Sequence, residues 1–479
     1  MMRPMPDERP DELCLAPATD LAAMLRRKEL SARELLDAHL DRIERVNPAV
    51  NAIVTLDVDG ARRAAGAADD AAARGEWLGP LHGLPVAHKD THLTGGMRTT
   101  FGSPVHSGFV PDHDELVVAR LRGAGAVRVG KTNVPEFAAG SHTFNPVFGV
   151  TRNPYDLDLS AGGSSGGAAA ALATGMVPLA EGSDMGGSLR NPAAFCNVVG
   201  LRPSPGRVPT VPAQMGWSTV SVQGPLGRTV GDVALMLSVL AGPDPRCPIS
   251  LPDNGSAFAA PLPTELRGLR VAWAPDLGGR VPVDPEVLAV LADLVPVLEA
   301  LGAHVVEDCP DLSGADEVFD VLRAWQFASS HSELVERHGD QVKESIRWNV
   351  ERGRRLSGAD VARAETLRTG LHLRLVEFFE SYDVLLTATT QVLPFDVDTE
   401  YPQVVAGQRQ DSYLGWMRSC TIISAAGLPA LSVPGGFSAG GLPVGLQVVG
   451  APRADRRVLE VGHAVEHATW HGRRRPPVG

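Results

Sequence analysis

Residues 160–191 read SAGGSSGGAAAALATGMVPLAEGSDMGGSLRN, and this stretch decides the fold and most of the chemistry. Two serines lie in glycine-dense turns, Ser164 within residues 162–167 and Ser188 directly after Gly186 and Gly187. Glycines beside a serine let backbone N–H groups approach a ligand atom closely. Either turn, taken alone, fits a flexible or anion-binding loop equally well. The alanine run after the first turn predicts a helix.

The first turn can be compared with two known glycine-rich motifs. Gly162, Ser164 and Gly166 fit the G-x-S-x-G nucleophile elbow, but that motif follows a buried strand, and residues 153–158 before it have the pattern of a loop. A Walker phosphate loop is excluded because no glycine-rich segment ends in Gly-Lys-Ser/Thr. His82 and His142 lack a carboxylate partner in the sequence and are interpreted as structural.

The composition excludes several classes of protein. A net charge of −12 without a basic stripe makes binding to nucleic acid or to an anionic membrane unexpected. The five cysteines form no CxxC pair, so neither a disulfide framework nor a metal site is predicted, and no cofactor is expected. No apolar signal segment or membrane-spanning run is present, so we expect a cytoplasmic protein.

Lysine is rare in this chain. Of 44 basic residues only Lys28, Lys89, Lys131 and Lys343 are lysines. Arginine is not deprotonated in proteins, whereas a buried lysine can be. A cationic side chain that must become a base therefore has four possible positions.

On both sides of this stretch, helices alternate with short apolar strands. Leu35, Leu36, Leu40 and Ile43 form one face of a helix that Asn47-Pro48 should end. Short strands are predicted at 83–87, 126–129 and 303–306, a helix at 284–301, and an antiparallel pair at 428–433 and 442–449. This alternation predicts an α/β sandwich around one large mixed sheet.

Three linked motifs give the chain a family resemblance. They are Gly162–Ala168, Gly182–Cys196 and Val199–Pro203, and matches at 83–90, 129–137 and 441–447 support them. In this order and spacing they resemble the amidase signature family over residues 17 to 470. The resemblance implies one domain over residues 1–479, with a signature core at about 75–205 and a variable pocket-forming segment at about 310–410. It also implies an α/β/α sandwich on a mixed sheet of about eleven strands.

The resemblance also implies roles for single residues. Ser188 matches the acylated nucleophile, Ser164 the bridging serine on a cis peptide bond, and Lys89 the base. The backbone N–H groups of Met185, Gly186 and Gly187, with that of Ser188, match the oxyanion hole. Substrate contacts are expected from Ala138, Gly140 and Ser183. Lys131 matches a position without a catalytic role.

The physical chemistry of these groups agrees with the roles. Lys89 must be neutral to accept a proton, and burial at the end of an apolar strand lowers a lysine pKa from about 10.4. Ser164 can then donate to Lys89 while it accepts from Ser188, without any histidine. The family usually has an apolar residue at His88. We expect the His88 side chain to perturb Lys89 or, the favoured interpretation, to point to the opposite face.

The sequence leaves two functions open. The first is a stand-alone hydrolase of small-molecule amides, with aryl amides or carbamates (urethanes) as expected substrates and a homodimer compatible with the family. The second is the glutamine-hydrolysing A subunit of a tRNA-dependent amidotransferase, which needs partner subunits. The Ser-Asp-Met variant at Ser183–Met185 and the segment 208–220 favour the first.

Overall fold

Eleven strands form one mixed β-sheet that takes strands from both halves of the chain. The computed structural model describes residues 9–478; Gly479 and residues 1–8, where no signal segment is predicted, lie outside the described residues. From one edge to the other, the strands are β1 (Ile53–Leu56), β3 (Val127–Thr132), β2 (Pro85–Lys89), β8 (Leu179–Asp184), β10 (Val222–Gly227), β9 (Val199–Arg202), β16 (Ala430–Phe437), β17 (Pro443–Gly450), β13 (Val384–Ala388), β11 (Arg270–Trp273) and β12 (His304–Glu307).

The sheet is parallel in two places and antiparallel between them. Strand β2 runs parallel to both β3 and β8, and β11 runs parallel to both β13 and β12. Between these two regions the strands lie in the order β8, β10, β9, β16, β17 and β13, and each neighbouring pair is antiparallel. This includes the predicted C-terminal pair of β16 and β17. The expectation of a mixed sheet of about eleven strands is confirmed.

Over residues 9–478, three small strand pairs lie outside this sheet. They are β4 (Phe144–Asn145) with β5 (Gly149–Val150), β6 (Arg152–Asn153) with β7 (Asp156–Ser160), and β14 (Val404–Val405) with β15 (Gln408–Arg409). The loop prediction for residues 153–158 is therefore wrong. Strand β7 nevertheless lies outside the central sheet: it pairs with β6 and bridges to Asp396 through Leu159. Its first four residues are exposed or half-buried in alternation, so no buried central strand leads into the first serine turn.

Fifteen α-helices flank the sheet in the described residues. They are α1 (Arg9–Leu15), α2 (Ala18–Arg26), α3 (Ala32–Val50), α4 (Val58–Ala73), α5 (Leu116–Gly123), α6 (Gly166–Ala173), α7 (Arg190–Phe195), α8 (Val230–Leu240), α9 (Pro285–Ala292), α10 (Leu294–Ala300), α11 (Ala315–His338), α12 (Glu344–Arg355), α13 (Gly358–Ser381), α14 (Arg418–Ala426) and α15 (Asp455–Thr469). In the part of the chain that the structure describes, none of them is long and apolar enough to cross a membrane.

Two helix boundaries differ from the prediction, and proline explains both. Helix α3 continues through Pro48 to Val50, because a proline in the last turn removes only one internal hydrogen bond. The predicted helix over 284–301 is instead two helices that meet at Asp293. Pro296 cannot donate to the carbonyl of Ala292, so the hydrogen-bond ladder is interrupted there.

The topology brings the two serine turns and Lys89 to one edge of the sheet. Strands β2 and β8 are parallel neighbours, so their carboxyl ends, at Lys89 and Asp184, meet on the same side. The turn with Ser164 leads into α6, and the turn with Ser188 connects β8 to α7.

Candidate active site

Lys89 ends strand β2, and its amine lies among serine oxygens. Its Nζ is 2.8 Å from Ser164 Oγ, 2.9 Å from Ser165 Oγ and 3.1 Å from Ser183 Oγ. The side chain is fully buried. Burial lowers the pKa of Lys89 to about 7, although the charges of Glu181 and Asp184 favour the ammonium form. A neutral amine is therefore well populated near neutral pH.

The turn that carries Ser164 is held by hydrogen bonds to its carbonyl groups. The Gly163–Ser164 peptide bond is cis, as the resemblance implies. Ser141 Oγ donates to the Gly163 carbonyl at 2.6 Å, and Thr143 Oγ1 donates to the Gly162 carbonyl at 2.8 Å. These contacts hold the Ser164 hydroxyl next to Lys89.

The turn that carries Ser188 is built around the Asp184 carboxylate. Asp184 accepts from the N–H of Gly187 at 2.9 Å and from the N–H of Leu189 at 3.1 Å. Arg190 and Arg202 pair with the same carboxylate at 2.9 and 3.2 Å. Burial alone would raise the pKa of Asp184, but the two guanidinium groups hold it below its ordinary value. The carboxylate therefore stays ionised and anchors the turn.

Gly187 is conformationally required in this turn. Its φ is +110°, and a Cβ there would lie 2.7 Å from the side chains of Asn191 and Cys420. Because its N–H donates to Asp184, that N–H is not directed into the cavity. Met185 and Gly186 belong to the same turn, and Met185 lines the cavity.

The two serine turns contact each other. The N–H of Ser165 donates to the carbonyl of Ser188 at 3.2 Å. Ser164 and Ser188 both line a cavity of about 430 Å³. Within residues 9–478 no hydrogen bond joins their two hydroxyl groups, so only the Lys89–Ser164 half of the predicted relay is formed in this state.

Both aromatic and polar side chains line the cavity. Phe101, Phe137 and His106 pack together with ring centroids 5.3 to 5.7 Å apart. Phe327 of α11 also lines the cavity, and the ring of His331 lies 5.3 Å from that of Phe327 and 5.1 Å from that of Phe137. The polar lining residues include Thr91, Ser183, Gln214, Ser221, Arg323, Gln326 and Ser330.

Of the three predicted substrate contacts, two line the cavity and one does not. Ala138 and Ser183 line the cavity. Gly140 is not among the described residues that line it; a Cβ on Gly140 would lie 3.6 Å from Lys343 Nζ. Met185 places its Sδ 2.9 Å from Arg323 Nη1.

His88 lies on the side of β2 away from Lys89, in line with strand alternation. Its Nδ1 is 3.2 Å from Glu181 Oε1, and the same oxygen accepts the backbone N–H of Lys89 at 3.1 Å. His82 and His142 bond to the backbone, His142 Nε2 to the Val397 carbonyl at 2.8 Å and His82 Nδ1 to the N–H of Leu78 at 3.2 Å. Over the described range, no group of three or more His, Cys, Asp or Glu residues could hold a metal ion.

Comparison with known families decides the assignment. The family model for amidases matches residues 34–459, which include both serine turns and Lys89. The chain belongs to the amidase family. The acylamidase of Rhodococcus erythropolis is 39% identical to it over 446 positions, 92% of this chain and 93% of that protein. The A subunit of the Moorella thermoacetica glutamyl-tRNA(Gln) amidotransferase is also 39% identical, over 497 aligned positions, 98% of this chain and 99% of that protein.

The fold agrees with this membership. The crystal structure of a bacterial aryl acylamidase of the amidase signature family is similar with a TM-score of 0.88 and 30% identity. The match covers 95% of this chain and 96% of that one. This amidase is therefore a hydrolase of C–N bonds.

Sequence reasoning missed three residues that shape the site. Ser165 lies as close to Lys89 as Ser164 does, and its only signal was its place in the same glycine turn. Glu181 lies beneath Lys89 and His88. Arg323 enters the cavity wall from α11, and no motif marks it.

Proposed function

We propose that this amidase acts alone on small-molecule amides through an acyl-enzyme on Ser188. The observation that carries the proposal is the buried amine of Lys89, 2.8 Å from the Oγ of Ser164, a residue that lines the same cavity as Ser188. A lysine with a pKa near 7 can accept a proton under ordinary conditions.

In the first step, Ser188 Oγ attacks the substrate carbonyl carbon and the C=O π pair moves onto the carbonyl oxygen. The Ser188 proton passes to Ser164 as the Ser164 proton passes to neutral Lys89. Collapse of the tetrahedral intermediate breaks the C–N bond, and the lysinium returns the proton through Ser164 to the departing amine. Water then repeats the attack on the acyl group of Ser188 and releases the acid.

The negative charge on the carbonyl oxygen needs backbone donors. The N–H of Gly187 is engaged by Asp184, so the proposal assigns this role to the N–H groups of Met185, Gly186 and Ser188. Each such donor contributes roughly 10²–10³ in rate.

For the substrate we propose an aryl amide or an aryl carbamate. Phe101, Phe137 and Phe327 provide an aromatic wall in the cavity that also contains Ser188. The similarity to a bacterial aryl acylamidase supports this class.

The second candidate is the glutamine-hydrolysing subunit, which the 39% identity to the Moorella protein favours. Free glutamine carries an α-ammonium group. Among the described residues that line the cavity there is no Asp or Glu to pair with it. This supports the stand-alone hydrolase.

We also propose that residues 1–479 form one domain, because strands from Ile53 to Gly450 share one sheet. The signature core at about 75–205 contains Lys89, Ser164 and Ser188. The segment at about 310–410 contributes Phe327 and other cavity residues from α11. The cytoplasmic location and the homodimer stay predictions from the sequence.

The test uses the purified chain alone on four substrates: an anilide, an aryl carbamate, an aliphatic amide and glutamine. We expect the two aryl substrates to be hydrolysed fastest and Ser188→Ala to abolish turnover. A serine-directed phosphonate should label Ser188 and not Ser164. The exposed Ser256→Ala is the matched control and should keep full activity.

Glutamine as the only substrate would favour the amidotransferase role. An active Ser188→Ala, or a phosphonate on Ser164, would contradict the assignment of the nucleophile.

A further inference from the structure

Arg323 is a buried cation in the wall of the cavity that contains Ser188. It projects from α11, lines the cavity, and only 5% of its surface is exposed. Burial of a charge is costly unless the group is paired or well hydrogen-bonded. The partners of this guanidinium therefore indicate whether its position is structural or serves a ligand.

The partners of Arg323 are weak acceptors. Nη1 lies 2.9 Å from Met185 Sδ, and Nη2 donates to the Tyr413 hydroxyl at 2.8 Å. The guanidinium carbon is 4.4 Å from the centroid of the Phe327 ring, a cation–π contact. Nε has no hydrogen-bond partner among the described residues, and no carboxylate of that range lies within ion-pair distance of the guanidinium.

Other buried arginines of this chain are satisfied differently. Arg190 and Arg202 pair with Asp184, and Arg207 pairs with Asp455 at 3.1 Å. Arg228 donates to backbone carbonyl groups, among them that of Val177 at 2.9 Å. Arg323, which lines the cavity, has neither kind of partner within residues 9–478, so its guanidinium retains donor capacity toward that space.

No other charge among the described residues of the cavity wall could neutralise Arg323. No Asp or Glu is among the described lining residues. Burial lowers the pKa of the lining His331 to about 4, with a smaller contribution from Arg323, so His331 is neutral near neutral pH. Arg323 is thus the one lining side chain in the described range that is charged at every pH of interest.

We propose that Arg323 binds a carboxylate group of the substrate. The substrate class is then aryl amides that carry a carboxylate and no ammonium group, because the aromatic wall takes the ring and Arg323 takes the acid. A guanidinium can form two parallel N–H···O bonds with a carboxylate, and such charged bonds are strong away from water. This inference rests on the proposed amide hydrolysis and specifies its substrate.

The test is a ratio of kcat/KM values within matched substrate pairs. One pair is N-acetyl-4-aminobenzoate and its carboxamide, which places the acid on the leaving amine. The other is the 4-nitroanilide of succinate and that of butyrate, which places the acid on the acyl group. In at least one pair the acid should be preferred by about tenfold or more, the effect expected of a hydrogen bond to a charged group.

The variants separate recognition from structure. Arg323→Gln should bring the ratio of kcat/KM for the acid to kcat/KM for its neutral partner close to one, even if both kcat/KM values fall. Arg323→Lys should keep part of the preference, because an ammonium attracts the acid without the bidentate geometry. Arg267→Gln, an exposed arginine paired with Glu265, is the control and should leave the ratio as in the wild type.

No preference in either wild-type pair, or a preference that Arg323→Gln retains, would overturn the proposal. If Arg323→Gln does not fold, the proposal is tested by comparing inhibition of the wild-type enzyme by benzoate and by benzamide. Equal inhibition by the two compounds would contradict carboxylate binding by Arg323. If none of the amides is hydrolysed, the proposed function fails. Calorimetric binding of N-acetyl-4-aminobenzoate and its carboxamide to Ser188→Ala then tests Arg323 independently.

Discussion

Lys89 on β2 and Lys131 on β3 are two fully buried lysines on adjacent parallel strands. Burial lowers the pKa of both, that of Lys89 to about 7 and that of Lys131 to about 8. Their partners differ. Lys89 Nζ contacts three serine hydroxyls, whereas Lys131 Nζ lies 2.5 Å from the carbonyl oxygen of His92 and 3.0 Å from the hydroxyls of Thr94 and Thr99.

The difference shows that burial alone does not make a lysine a base. A carbonyl oxygen can only accept, so it has no proton to give to Lys131, and the nearby Asp90 favours the charged form of the amine. A serine hydroxyl can donate as well as accept. Lys89 can therefore receive a proton from Ser164, which lines the cavity.

Replacing Lys89 should give the largest effect. Lys89→Met and Lys89→Arg should both lower kcat/KM by about 10³-fold, because arginine keeps the positive charge but cannot release a proton. The exposed Lys28→Met is the control and should keep full activity. An arginine variant within about tenfold of the wild type, about 1.4 kcal/mol in activation free energy, would contradict the base assignment.

Replacing the two serines beside Lys89 should have the next largest effects, and the two effects should differ in size. Ser164→Ala should lower kcat by about 10²-fold, since it removes the hydroxyl that joins Lys89 to the cavity. Ser165→Ala removes an equally close hydroxyl that does not line the cavity, and should lose less than about tenfold. Steady-state kinetics on one anilide measures both, and equal losses would show that the relay does not depend on Ser164.

The pH dependence of kcat/KM should follow the titration of Lys89. The active form is the neutral amine, so activity should fall by about tenfold per unit as the pH drops below about 7 and level off above it. Rates in overlapping buffers from about pH 5 to about pH 9, with unfolding monitored in parallel, measure this profile. Activity that falls as the pH rises through about 7 would contradict this prediction, because it would mean that the active form has a protonated lysine.

Lys131 should have the smallest effect on catalysis. Lys131→Met should leave kcat/KM within about fivefold, less than about 1 kcal/mol in activation free energy. It should lower the free energy of unfolding by about 1–3 kcal/mol, because the His92 carbonyl and two threonine hydroxyls lose a buried donor. Urea unfolding of this variant beside Lys28→Met measures the second effect. A loss of activity as large as that of Lys89→Met would remove the distinction between the two lysines.

Much of the fold followed from local patterns in the sequence. The short apolar strands at 83–87 and 303–306 and the C-terminal hairpin correspond to β2, β12, β16 and β17. Proline positions were harder to judge. Pro48 lies inside the last turn of α3, and Pro296 divides a predicted helix into two, because the effect of a proline depends on which carbonyl loses its donor.

The sequence by itself determined the family, the mixed sheet and the identity of the candidate residues Lys89, Ser164 and Ser188. Glycine turns, apolar strands and motif spacing are local properties, and they can be read without knowing which distant segments meet. Only the tertiary structure decided that Ser165 shares Lys89 with Ser164, that Asp184 occupies the N–H of Gly187, and that Arg323 faces the cavity without a carboxylate. The positions of these groups depend on strand register and on the packing of α11, which lies far along the chain from Ser188. No local pattern encodes such pairings, because the energy of a buried charge is set by every neighbour that the fold brings to it.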